Sequence, residues 1–359
     1  MKIWKCVALI AVLALLFRGL VALGADAVLD NLLRTAIGDE ALVEGTLLRQ
    51  SSWLSVTAAE AREPLSDTAA EDISYEPHDT EPPPALVLRE GLPIYRASRA
   101  ERLPTMTFRG NESQPNLEGI YLRNNTTYAV NIEELLTTPL SFDPAAGGSP
   151  TVLILHTHGT ESFEPEGDDW YDNVDNYRTN DMNLNITRVG REVAAIFEAR
   201  GIRVIHSQEI HDYPSFRGSY GRSLAAAQRY LARYPEIQIV LDLHRDAIMD
   251  SAGNYIRTLA DIEGVTSAQV MLVVGTDHAG LEHPHWRENL KFALRLQAAM
   301  VAHHPTFARP MSLREERFNA HLAPGAVLVE IGTCANTLQE ALTAGRIFAE
   351  IAADVILGV

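Results

Sequence analysis

Cysteine is nearly absent: two occur in 359 residues, Cys6 and Cys334, so no disulfide framework can be drawn and no redox compartment read from thiols. Cys6 opens an apolar run, whereas a processed lipoprotein cysteine follows one, so that reading fails. Basic runs are missing as well. Thirty Lys and Arg stand against 47 Asp and Glu, a net charge of −17, and no stretch gathers the cations that neutralise phosphates. Nucleic acid is thereby excluded as a partner. No internal repeat is visible, which excludes a solenoid.

What is present begins with an export signal. MKIWK is a positive leader, and Cys6 to Phe17 form an apolar core. Apolar character resumes after Arg18, giving about the 20 residues a membrane helix needs. Residues 1–25 are therefore expected to be an uncleaved anchor, with a signal cleaved near Ala25 as the alternative. Lys2 and Lys5 stay inside either way, which places the remainder outside the cytoplasm.

Residues 26–59 show Leu29, Leu32, Leu33 and Leu42 among charged residues, an amphipathic stalk. From Glu60 to Glu81 eight acidic residues face the single Arg62, and Pro82 to Pro84 follow. Such a segment buries too little apolar surface to offset its chain entropy, so 60–85 reads as an extended acidic linker. Residues 86–148 carry short alternating runs and are expected to form a small β-rich, hairpin-bearing subdomain.

From 149 to 359 buried strands alternate with amphipathic helices, the pattern of an α/β fold with a mixed, mostly parallel sheet and helices on both faces. Strands are expected at 151–156, 202–206, 237–243, 270–276 and 326–332. Helices are expected at about 185–200, 219–233, 285–303 and 338–356.

In such sheets functional groups gather beyond the carboxyl ends of strands. TVLILH runs into His158 and Glu161, IQIVLDL into His244, Arg245 and Asp246, and AVLVEIG carries Glu330. Two imidazoles and a carboxylate, without thiolate, suit a catalytic zinc with one position open to water. His158, Glu161 and His244 are the candidate ligands, one zinc ion per chain. Glu330 is the candidate general base and then acid. His156 could share the side of the strand that carries His158. Asp242 either orients His244 or caps a turn. Arg245 is the candidate for stabilising an oxyanion or binding a substrate carboxylate, with pairing to Asp246 as the structural alternative. The remaining histidines read as surface or structural residues.

ILHTHGTESF, HDYPSFRGSYGRS, VLDLHRDAI and VEIGTCANT together resemble the stage II sporulation protein P family, from about Leu122 to the C-terminus. The resemblance implies a fold related to zinc N-acetylmuramoyl-L-alanine amidases and carboxypeptidases. It implies hydrolysis of septal peptidoglycan during engulfment, with endopeptidase activity as an addition. A recruiting membrane protein and a lytic transglycosylase are the implied partners. Related amidases take a ligand from the helix after the first strand, where this chain offers only Asp181 and asparagines, so Glu161 is the better candidate. The rival readings are a zinc carboxypeptidase or endopeptidase of stem peptides, and a non-catalytic wall-binding scaffold.

Overall fold

The computed structural model describes residue 100 and residues 103–110, 114–144, 151–173 and 176–359. All lie within one compact unit, residues 56–359. The expected anchor, stalk and acidic linker lie outside the described residues. Among the described residues no helix is long and apolar enough to cross a membrane.

The chain begins with strands β1 (Thr105–Met106), β2 (Asn116–Leu117) and β3 (Ile120–Asn124) and the short helix α1 (Ile132–Thr137). Next come β4 (Thr151–Leu155), α2 (Ile186–Ala199), β5 (Arg203–His206), α3 (Ser219–Arg233) and β6 (Ile239–Asp246). The hairpin β7 (Arg257–Ile262) and β8 (Val265–Ala268) leads into β9 (Val270–Val274) and α4 (Trp286–His303). Strand β10 (Met311–Leu313), strand β11 (Gly325–Thr333) and helix α5 (Leu338–Leu357) complete it.

Eight strands form one sheet in the order β2-β3-β10-β9-β11-β6-β4-β5. The pairs β11–β6, β6–β4, β4–β5, β3–β10 and β10–β9 are parallel; β9–β11 and β2–β3 are antiparallel. The fold is thus a mixed, mostly parallel α/β sheet. Within the expected β-rich stretch a hairpin, β2–β3, turns at Glu118 and Gly119 and adds its strands to this sheet, whereas the alternating run after Asn125 leads into α1 and not into a second strand. A smaller sheet, β1-β7-β8, stands beside it.

Alternation along each central strand divides the core in two. Val152 and Ile154 of β4, Ile239, Leu241 and Leu243 of β6, and Val327, Val329 and Ile331 of β11 join one large cluster with residues of α2, α4 and α5. Leu153, Leu155, Val240 and Ala326 face the other way, into a smaller cluster with Ala227 of α3 and Ala320 and Ala323. Continuing the alternation on β6 and β11 puts Asp242, His244 and Glu330 on this second face. There α3 ends the apolar cover and polar groups begin.

Candidate active site

The register of two parallel strands sets the centre of the site, because Glu330 of β11 lies opposite His244 of β6. The turn that follows β4 brings the other residues. Its Glu161 N–H donates to the His158 carbonyl (3.1 Å), closing a tight turn that presents both side chains toward β6. His244 Nδ1 stands 3.3 Å from Glu161 Oε2, and the His158 and His244 rings meet edge to face at 5.2 Å. His158, Glu161, His244 and Glu330 thus share one site.

Asp242 fills both roles open to it. It accepts from the Thr157 N–H (2.8 Å) and hydroxyl (2.6 Å), fixing the turn, and its Oδ1 lies 3.0 Å from His244 Nε2, a close charge contact rather than an aligned hydrogen bond. Burial opposes a charge on His244, but Asp242 and Glu161 on its two sides hold its pKa well above the ordinary value. Burial likewise opposes ionisation of Asp242, yet His244 and Thr157 bring it down to about 2. Glu161 is held low in the same way, with Arg245 and His244 overcoming burial. Burial pushes His158 well below the usual range, so its imidazole is neutral.

Glu330 departs the other way. Burial and the neighbouring Asp246 push its carboxyl up to about 8, although His244 draws it down, and its Oε2 is buried without a hydrogen-bond partner. A carboxyl poised near neutrality at a strand end is suited to moving a proton.

Arg245 is committed elsewhere. Its Nε donates to the Ser162 carbonyl (2.9 Å) and its Nη2 to the Tyr177 carbonyl (2.8 Å), while its own N–H donates to Glu161 Oε2 (3.1 Å). The guanidinium therefore holds the 161–177 loop over the site. Its Nε and Nη2 thus bond main-chain oxygens, and its Nη1 stands 3.6 Å from Glu161 Oε1, an ion pair within the site. It does not pair with Asp246, which takes Arg309 at 2.8 Å.

His156 and His158 part company. His156 is fully buried, 2.8 Å from His206 Nε2 and 3.1 Å from the Leu243 carbonyl, below Gly190 of α2. His158 stacks on Phe216 at 4.4 Å and meets the Tyr220 ring at 5.5 Å. Asp181 is exposed and accepts from the Asn183 N–H, whereas Asn185 caps α2.

Several contributors lay beyond the sequence reading. Asp212 accepts from the Thr160 N–H (3.1 Å) and hydroxyl (2.6 Å) and pairs with Arg178 at 2.5 Å, fastening the turn to the 207–218 loop. Arg178 in turn covers Phe216, 4.6 Å from its centroid. The one signal for these was the motif HDYPSF itself, which says nothing about what its Asp and Phe would meet.

Among the described residues no three His, Cys, Asp or Glu groups are arranged to hold a metal ion as they stand. The donor chemistry nevertheless fits zinc: a neutral imidazole with its Nδ1 buried and unpartnered on His158, an ionised carboxylate on Glu161, and on His244, steadied by Asp242, a second imidazole that becomes a donor when it gives up its proton.

Fold and site together define an α/β protein with a strand-end cluster of imidazoles and carboxylates. The chain belongs to the stage II sporulation protein P family, whose model matches residues 98–353. It is 28% identical over 218 residues to the stage II sporulation protein P of Bacillus subtilis (strain 168), covering 57% of this chain. The match takes in 51% of that relative, so the chain spans about half the length of the curated relative it matches.

Among solved structures, the amidase AmiC2 of Nostoc punctiforme is similar at 14% identity, covering 58% of this chain and 95% of its own, with a TM-score of 0.34. The amidase Ami1 of Mycobacterium smegmatis is similar at 15% identity, with coverages of 60% and 98% and a TM-score of 0.36. The CwlD amidase of Clostridioides difficile, solved in complex with the GerS lipoprotein, matches at 15% identity, with coverages of 57% and 93% and a TM-score of 0.35.

Proposed function

We propose that the protein is a peptidoglycan hydrolase, a zinc-dependent N-acetylmuramoyl-L-alanine amidase that acts on septal cell wall during sporulation. The observation that carries this reading is Glu330, a carboxyl with a raised pKa set in register with His244 beside Glu161 and His158. Family membership supports the choice of cell wall as substrate.

His158, Glu161 and His244 would hold the zinc ion. When bound, it would polarise the scissile carbonyl and lower the pKa of water. Glu330 takes a proton at its carboxylate and returns it to the leaving nitrogen. Asp242 keeps the His244 ring in place, and Arg245 keeps the loop that carries Glu161 closed. The anchor, the extracytoplasmic location, the recruiting membrane protein and the lytic transglycosylase belong to the same reading and rest on the amino-terminal sequence and the family.

Metal analysis of the purified protein, with mass spectrometry of digested sacculi, tests it. One zinc per chain and whole stem peptides released from muramic acid are expected. Products cut within the peptide would make it an endopeptidase, and intact sacculi a scaffold.

A further inference from the structure

Arg309 lies in the segment that returns from α4 to β10, and its main chain is fixed on both sides. Its N–H donates to the Val270 carbonyl (2.8 Å) and its carbonyl accepts from Gln297 Nε2 (2.8 Å). The side chain reaches the end of β6, where Nη2 donates to Asp246 Oδ2 at 2.8 Å. Phe108 lies against the guanidinium, its ring centroid 5.1 Å away, and is itself tied to Gln269 through both main-chain groups. The arginine is 6% exposed. It is a rigid, buried fork.

One prong of the fork has no acceptor: Nη1 is buried without a hydrogen-bond partner. Asp246 lies two residues beyond His244 on β6, opposite Thr333 of β11, so the guanidinium arrives on the edge of the site occupied by Glu330. Glu330 Oε2 is likewise buried without a partner, and the Arg309 charge is felt at its carboxyl. An N–H donor that cannot lose its proton is unfavourable in a protein interior until an oxygen meets it. Among the described residues none does. A substrate lying against Glu330 would.

We infer that Arg309 binds substrate, its unpartnered Nη1 donating to an acyl oxygen of the peptide part, carboxylate or amide carbonyl. The sequence suggested the same kind of role for Arg245. It also gives a chain of net charge −17 one fixed cation beside its candidate base, where an anionic substrate needs it. The inference rests on the amidase reading.

The test uses the full-length protein with a soluble disaccharide peptide and with the same compound amidated at its carboxylates. Arg309→Lys keeps a cation for Asp246 but loses the second nitrogen. It is expected to fold and to lower kcat/KM by about 10–100-fold, the worth of one hydrogen bond to a charged group. If the amidated compound abolishes the difference between variant and wild type, the acceptor is a carboxylate. If the loss persists and lies in kcat, it is the amide carbonyl.

Should Arg309→Lys unfold, the paired variant Arg309→Gln with Asp246→Asn removes both charges together and strands neither. The same loss is expected from it. Binding of the peptide to protein carrying Glu330→Gln, measured by calorimetry, should weaken by the same factor when Arg309→Lys is added. A folded variant with kcat/KM within about twofold of wild type on both compounds overturns the inference. Wild-type turnover by Glu330→Gln alone would instead overturn the amidase reading beneath it.

Discussion

Glu330 unites two demands that mutation can separate. As a proton carrier it should be worth about 10²–10⁴-fold in rate, so Glu330→Gln is expected to lose that much turnover while folding and metal content persist, read from zinc stoichiometry and muropeptide release on one preparation. As a buried carboxyl it also sets a pH dependence. Its folded pKa of about 8 lies above the ordinary 4.5, so the stability it contributes is complete below that ordinary value and is lost as pH rises through the folded one. In metal-free protein Glu330→Gln should therefore match wild type near pH 4.5 and gain on it as pH rises through 8. Urea denaturation at the two pH values measures this, and equal gaps would show that the carboxyl is not buried in solution. For the proposed ligands, His158→Ala, Glu161→Ala and His244→Ala are each expected to abolish zinc binding. Full zinc retention by the Glu161 variant would remove it from the ligand set. These four residues were legible because each ends a buried strand or follows one directly. Asp212, Phe216 and Arg309 were not, since their partners are chosen by loops that meet only in the folded chain. For Arg245 the sequence named a cation at the site but could not say that main-chain carbonyls would occupy it.

Among the elements, the four long helices α2 to α5 were read almost to the residue, because apolar periodicity and end signals agreed, whereas the six-residue α1 falls in a stretch whose alternating runs read as β-rich. Asn185 accepts from the Thr187 N–H at 3.0 Å to begin α2, and Thr337 with Glu340 forms a capping box at the start of α5. Asn185→Ala should cost about 1 kcal/mol by chemical denaturation. The hairpin β7–β8 was missed for a definite reason. Its turn residues Glu263 and Gly264 have φ of 56° and 86°, a conformation that Asn-Gly announces and Glu-Gly conceals. Glu263→Asn is accordingly expected to stabilise the protein by a few tenths to about 1 kcal/mol, and no gain in melting temperature would argue against strain at that position. Strand β10, three residues long, carries too few positions for alternation to register.

Over the whole molecule, the boundary set by composition can be tested by where the chain is allowed to start. A chain beginning at Leu86 is expected to be soluble and active, because the acidic stretch before it has little apolar surface to contribute. One beginning at Gln114 loses β1 and with it Phe108, which lies against Arg309, so it should be less stable and weaker on substrate. Comparing the two by thermal melts and turnover separates a dispensable leader from a working part of the fold.

The position of β11 has a temporal meaning. It runs from Gly325 to Thr333, near the chain's end, yet it is wedged between β9 and β6 at the middle of the sheet and carries Glu330. Everything made earlier must wait for it, and such distant pairings form slowly. A chain emerging amino terminus first carries His158, Glu161 and His244 well before Glu330 follows, so on the proposed reading the cluster is completed only when β11 inserts between β9 and β6.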